Sequence, residues 1–369
     1  MKVIAYLSYG SKQEYQLELY FSILSALQFL KAAAHDIRIC VISDRPYCFS
    51  DRLGIDYLPF SQAELAEWTN HGASPHRAKI LALMKVMDHY QSAVALVDSD
   101  TYFLKSPVQL MERITPQQSV LFGFEHVMKN DLLWQPLFKK LGNHIDFGEV
   151  YLNPHCTMFN AGVVGVDIAN RSLLDQVLSI VDRLNATHHV FTDEQLSFSL
   201  VLNQLTQLYL SDDLIRHYWG WYERRFIHVQ IARLFKELTS ENLERLVFDA
   251  TPVVFEDCPP VDFRDRLISK IRGLIHRWDQ HYKFAYFSYR NALSYAAKDQ
   301  AYANAWAAHT LQGVTKSLAS SSPSPKMWQH LQRDFPSFSQ PSIAALDWLS
   351  TEMKNEWLDF WQQRFTPKS

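Results

Sequence analysis

Two aspartates carry the sharpest chemical signal in this chain. Asp98 and Asp100 stand two residues apart in Val94-Ala95-Leu96-Val97-Asp98-Ser99-Asp100-Thr101, directly after a short apolar run. Two carboxylates so spaced at a strand end can share one hard cation. Mn²⁺ and Mg²⁺ take oxygen ligands and leave positions open for phosphate oxygens. A cation held there stabilises the negative charge that develops on a departing diphosphate. Taken alone, Asp-x-Asp is common and equally describes a solvated loop with two acids.

Further segments offer chemistry of their own. Phe159-Asn160-Ala161-Gly162-Val163-Val164-Gly165-Val166-Asp167 places a small, polar backbone stretch where a sugar could approach closely, or where a strand needs a glycine bend. Phe191-Thr192-Asp193-Glu194-Gln195-Leu196 gathers two acids and an amide at the start of a helical stretch. His217, in His217-Tyr218-Trp219-Gly220, can ligate a metal through a neutral ring nitrogen, although a lone histidine is more often structural. Lys79, in His76-Arg77-Ala78-Lys79-Ile80-Leu81, could contact a phosphorylated ligand or simply sit exposed on its helix.

The elements that must position these residues alternate. Apolar, β-branched runs predict strands over 3–7, 37–42, 55–60 and 93–97. Between them, helical spacing predicts helices over 13–34 and 75–90, the second with Pro75 in its first turn. Strands joined by helical crossovers imply a mainly parallel sheet with helices on both faces, and such sheets bind ligands beyond the carboxyl ends of their strands. Asp98 and Asp100 stand at one such end. Further strands are expected over 120–124, 156–167, 205–210 and 214–218, with helices over 173–184 and 193–202. After about Phe226 the pattern turns helical, and the Ser/Pro-rich stretch 317–326 reads as a linker or exposed loop.

In order and spacing, Lys79, Asp98-Ser99-Asp100, Phe159-Asn160-Ala161-Gly162, the Asp193 to Gln195 segment and His217-Tyr218-Trp219-Gly220 resemble the GT-A glycosyltransferases. The likeness is especially to the glycogenin and bacterial lipopolysaccharide galactosyltransferase group, glycosyltransferase family 8, over roughly residues 1–226. That resemblance implies an α/β GT-A catalytic domain over 1–226 and a mostly helical C-terminal region over 227–369. It implies metal-dependent transfer of a sugar from a nucleotide-diphosphate donor, a UDP-sugar above all, to a surface glycan or glycolipid, with retention of configuration. Asp98, Asp100 and His217 would hold Mn²⁺ or Mg²⁺. Lys79, Ser99, Asn160, Ala161, Gly162 and Gly220 would meet the nucleotide sugar, and Ser8, Tyr9 and Tyr15, after the first strand, its base. The catalytic carboxylate region falls on Asp193-Glu194 or Glu194-Gln195. The family's lysine after His-x-x-Gly is replaced by Glu223, with Arg224 and Arg225 next, and Arg224 becomes the candidate for the diphosphate.

Composition bounds the alternatives. The 369 residues are 47% hydrophobic and carry a net charge of -3, which gives a sizeable core and no field suited to nucleic acid. Cys40, Cys48, Cys156 and Cys258 form no Cys-x-x-Cys pair and read as reduced thiols. The start lacks a signal-type apolar region, and no apolar run reaches the ~18 residues of a membrane span. A cytoplasmic protein is expected, or one peripheral on the cytoplasmic face of a membrane. The candidate membrane contact is 264–290, where Arg264, Arg266, Lys270, Arg272, Arg277, Lys283 and Arg290 interleave with apolar residues. Two rival functions remain. One is a haloacid-dehalogenase-like phosphatase, whose Asp-x-Asp-x-Thr run matches Asp98 to Thr101, with Asp212-Asp213 as its acidic pair. The other is a non-catalytic nucleotide-sugar-binding protein.

Overall fold

The computed structural model describes residues 1–31, 35–46, 51–187, 192–235, 239–249, 253–276, 278–319 and 325–362. Cys48, Phe191 and Arg277 lie outside them. The chain divides into two compact units, Met1–Trp219 with Ile231–Val254, and Gly220–Gln230 with Phe255–Ser369.

In the first unit, strands β1 (Lys2–Ser8), β2 (Ile37–Ser43), β3 (Ile55–Pro59) and β4 (Val94–Val97) are followed by a short β5 (Thr101–Phe103). Then come β6 (Gln118–Val127), the paired β7 (Ile145–Asp146) and β8 (Tyr151–Leu152), β9 (Thr157–Val166), β10 (Gln207–Leu210) and β11 (Ile215–His217). Helices α1 (Gln13–Leu30), α2 (Gln62–Trp68), α3 (Arg77–Tyr90), α4 (Pro107–Glu112), α5 (Gln135–Leu141), α6 (Leu173–Thr187) and α7 (Asp193–Leu205) interrupt them. Seven strands form one sheet in the order β10-β6-β9-β4-β1-β2-β3. Every neighbouring pair is parallel except those of β9, which runs antiparallel to β4 and β6. This is the mixed, mainly parallel sheet that the strand–helix alternation predicts.

The period-2 alternation of each strand splits its residues between two cores. Val3, Ala5, Cys40, Ile42, Val94, Leu96 and Val164 pack with α3, α6 and α7 residues such as Leu83, Val177 and Leu196. Ile4, Tyr6, Ile39, Val41, Ala95, Val97 and Val163 pack with α1 and α4 residues such as Leu19, Ile23 and Leu110. Because both faces are covered, the strands read as continuous apolar runs.

The second unit contains helices throughout its described regular structure. The helix α8 (Trp221–Leu234) is divided between the units after Gln230, so the boundary expected near 226 falls inside it. After α9 (Ser240–Asp249), which belongs to the first unit, come α10 (Phe263–Ile275), α11 (Gln280–Tyr295), α12 (Gln300–Ala319), α13 (Pro325–Asp334), α14 (Gln340–Ile343) and α15 (Thr351–Gln362). Two expectations need correction. The basic stretch 264–290, whose interleaved cations and apolar residues read as one basic helix, is two helices. The stretch 317–326 is no exposed linker at its ends, because α12 runs through Ser317 and α13 starts at Pro325; residues 320–324 lie outside the described ones. Ser317 is 2% exposed and its hydroxyl donates to Asp279 Oδ2 at 2.5 Å, so its polarity is met inside the fold.

The aromatic core of this unit makes its stability depend on pH. The His309 ring lies among Tyr222, Phe226, Phe284 and Trp306. Burial pushes its pKa down to about 3, the Arg225 charge adds to this, and a backbone hydrogen bond with Tyr222 opposes it. Unfolded histidine titrates near 6.5. Between those values the unfolded chain binds the extra proton, so stability is full above about pH 6.5 and declines as pH falls toward 3. Lowering the pH from about 6.5 to about 5 should cost roughly 2 kcal/mol in urea unfolding of this unit, and His309→Leu should remove most of that dependence. An unchanged pH dependence in the variant would assign the effect elsewhere.

Candidate metal and donor site

β4 ends at Val97, and the chain turns through Asp98 and Ser99 before β5 begins at Thr101. β11 pairs antiparallel with β5, with His217 opposite Thr101, and the Tyr218 N–H donates to the Asp100 carbonyl at 3.0 Å. This backbone clip brings a histidine from far along the chain beside the aspartates. One ligand atom from each of Asp98, Asp100 and His217 lies within 4.8 Å of the others. His217 Nε2 stands 3.3 Å from Asp100 Oδ1. On the other side of the turn β9 supports it, where the Asp98 N–H donates to the Gly162 carbonyl at 2.8 Å.

The hydrogen bonds around His217 fix which ring nitrogen turns toward Asp100. Asn160 Oδ1 accepts from the Gly162 N–H at 2.8 Å, and Asn160 Nδ2 donates to Glu125 Oε1 at 2.8 Å. The amide orientation is therefore determined at both ends, and the oxygen is the atom 3.0 Å from His217 Nδ1. An oxygen can only accept, so Nδ1 carries a proton and Nε2 is the nitrogen turned toward Asp100. Two carboxylates and an imidazole whose far nitrogen is anchored make a donor set that fits a divalent cation. Gly162 permits the approach, since a Cβ there would lie 2.2 Å from His217 Nδ1.

Behind the aspartates, α3 delivers Lys79. Its Nζ is 2.9 Å from Asp98 Oδ1 and 3.4 Å from Glu194 Oε1, and it donates to the Ala161 carbonyl at 2.8 Å. Burial alone would lower this ammonium's pKa, but Asp98, Glu194 and Asp100 outweigh it and leave the value raised, so Lys79 stays charged. Glu194, 4% exposed in the first turn of α7, is pushed by burial up to about 7, against the pull of Lys79. Gln195 joins the same network. Its Oε1 accepts from the Ala161 N–H at 3.3 Å and its Nε2 donates to Glu125 Oε2 at 2.7 Å. Asp193 is 1% exposed, and its Oδ1 accepts from the Glu194 N–H at 2.7 Å within the first turn of its own helix.

Glu125 was not visible in the sequence. One carboxylate there holds both Asn160 and Gln195, yet no motif marks it. The pairing of β6 with β9 shifts register between Leu121 and Gly123 and again between Phe124 and His126. A bulge of this kind re-aims a side chain, so strand alternation could not place Glu125.

The remaining candidates are placed as follows. Ser8 is buried at the carboxyl end of β1, in register with Ser43. Tyr9 is partly buried, and burial raises its phenol pKa, while Lys79 and Asp98 are near enough to act on it in opposite senses. Tyr15 is 40% exposed in the first turn of α1, with Lys12 Nζ 5.4 Å from its ring centroid. Ser99 is half-buried between the two aspartates. Gly220 and Arg224 belong to the second unit, where the Arg224 N–H donates to the Gly220 carbonyl at 3.0 Å. Asp213, proposed half of a phosphatase acidic pair, is bound by Arg113 at 2.7 Å and Lys105 at 3.2 Å, and the Arg113 hydrogen bond holds its carboxyl down at about 2.

No family model matches the chain, and no curated protein does. Solved structures do. Mouse xyloside xylosyltransferase 1, in its apo form, matches with a TM-score of 0.39 and 14% identity, over 57% of this chain and 85% of that one. The galactosyltransferase LgtC, in complex with donor and acceptor sugar analogues, matches with a TM-score of 0.40 and 12% identity, over 69% of this chain and 98% of that one.

Proposed function

We propose that this protein is a GT-A glycosyltransferase that moves a sugar from a nucleotide-diphosphate donor, a UDP-sugar, to a glycan or glycolipid acceptor with retention of configuration. The observation that carries the reading is the Asp98, Asp100 and His217 group with its imidazole anchored through Nδ1 by Asn160. These three residues would hold Mn²⁺ or Mg²⁺. When bound, such an ion neutralises charge on the donor diphosphate. Lys79 pairs with Asp98 and orients it. Glu125 and Gln195 hold Asn160 and the Ala161 backbone where the donor sugar would lie, so the site is organised before donor arrives. Ser8, Tyr9, Tyr15 and Ser99 are the reading's contacts to the rest of the nucleotide sugar. The catalytic domain is read as residues 1–226, with 227–369 as a helical appendage.

Titration calorimetry with UDP tests this. Binding with Mn²⁺ present should be at least on the order of 100-fold tighter than without it, and Asp100→Ala should abolish the difference. Metal-independent UDP binding that Asp100→Ala leaves unaltered would refute the reading. Screening nucleotide sugars for slow hydrolysis would then identify the donor.

A further inference from the structure

The helix α10 is turned inside out. Its sequence, Phe263-Arg264-Asp265-Arg266-Leu267-Ile268-Ser269-Lys270-Ile271-Arg272-Gly273-Leu274-Ile275, spaces apolar residues so that Phe263, Leu267, Ile271 and Leu274 share one side. In a globular unit that side would ordinarily face the core. Here the buried residues are Asp265, Ser269 and Gly273, a polar and small stripe at i, i+4 and i+8. Specific contacts hold them inward. Asp265 pairs with Arg290 of α11 at 2.7 Å, Ser269 donates to the Asp265 carbonyl at 2.7 Å, and Gly273 lies against the Lys283 stem, where a Cβ would come within 2.7 Å of Cγ.

The consequence is an outward band of six large apolar side chains. Phe263, Leu267, Ile268, Ile271, Leu274 and Ile275 are between 38% and 74% exposed. Arg264, Arg266, Lys270 and Arg272 are exposed on the same helix, and its sole acid is the inward, paired Asp265. At 100° per residue, Arg266 and Lys270 flank one edge of the band and Arg272 the other, while Arg264 lies within it at the start of the helix. A contiguous apolar face of this kind on a soluble surface marks an interaction site. We infer that α10 docks the protein on an anionic lipid surface, its apolar band entering the acyl boundary and its cations meeting lipid phosphates. Charge selects this occupant. A band bordered by cations on both edges and free of acids matches an interfacial helix on anionic lipid. A second copy meeting it about a two-fold axis would bring the same cations face to face. Among the described residues no helix is long and apolar enough to cross a membrane, so the contact would be peripheral.

Flotation of the full chain with vesicles tests the inference independently of the enzymatic reading. The protein should float with phosphatidylcholine vesicles that contain phosphatidylglycerol, stay behind with pure phosphatidylcholine, and release as salt rises. Arg266→Gln with Lys270→Gln and Arg272→Gln should lower partitioning on the order of 100-fold. Leu267→Ser with Ile271→Ser and Leu274→Ser should abolish it. All six positions are exposed, so both variants should keep the wild-type melting curve, which is checked directly. Failure to float with phosphatidylglycerol vesicles, equal binding to neutral vesicles, or undiminished binding by either variant would overturn the inference. So would a dimer in sedimentation that the serine variant dissolves, since the band would then be a self-interface.

Discussion

Gly162→Ala should weaken Mn²⁺-dependent UDP binding by about 10- to 100-fold while the protein remains folded, the scale of loss seen when a ligand's supporting contact is broken. The added methyl would lie 2.2 Å from His217 Nδ1 and 2.3 Å from Cε1, distances no Cβ contact tolerates, so the imidazole must move. Moving it breaks the 3.0 Å contact with Asn160 and carries Nε2 away from Asp100. A control lies three residues on in the same strand. At Gly165 a Cβ would meet the Ile114 Cδ1 terminus at 2.6 Å, a core contact remote from any ligand atom. Gly165→Ala should therefore lower the melting temperature yet keep metal-dependent UDP binding. Calorimetry and thermal unfolding on both variants separate the two effects. Equal UDP·Mn²⁺ affinity in wild type and Gly162→Ala would remove His217 from the proposed ligand set.

These two glycines show where sequence reading succeeds and where it stops. The apolar run before Asp98 and the strand–helix alternation are local signals, and they place the aspartates at a strand's carboxyl end without tertiary information. The Asn160 to Gly162 segment and His217 were visible as residues. Their joint purpose was not, because it arises when β11 pairs with β5 while β9 pairs with β4. Lys79 could equally have been an exposed helix lysine, and only the packing of α3 shows its ammonium enclosed by Asp98, Glu194 and the Ala161 carbonyl. Glu125 depended on two register shifts that periodicity cannot reveal. In the second unit, the stretch 264–290 was legible as a candidate membrane contact, but only the pairing of Asp265 with Arg290 shows which side of α10 turns inward.

Glu194→Gln should reduce turnover by about 10²- to 10³-fold while leaving UDP affinity within about twofold, as expected for a group that acts on the transition state more than on the bound donor. Three adjacent residues compete for this role, and the geometry ranks them. The Asp193 Oδ1 accepts inside the first turn of α7, which suits a helix-start anchor, so Asp193→Asn should lower stability before it lowers rate. Gln195 spans the Ala161 N–H and Glu125, so Gln195→Ala should loosen the proposed donor-sugar pocket and affect binding and turnover together. Glu194 alone among them reaches the Lys79 ammonium, at 3.4 Å, and through it is coupled to Asp98. Under the proposed function, a carboxylate there would offset the positive charge that develops at the sugar's reacting carbon in an oxocarbenium-like transition state. Glutamine keeps the shape and loses that charge. Steady-state rates with whichever nucleotide sugar the wild type hydrolyses, beside UDP calorimetry on the same preparations, give both numbers. Normal turnover in all three variants would displace the catalytic centre from the start of α7, and a product of inverted configuration would refute retention.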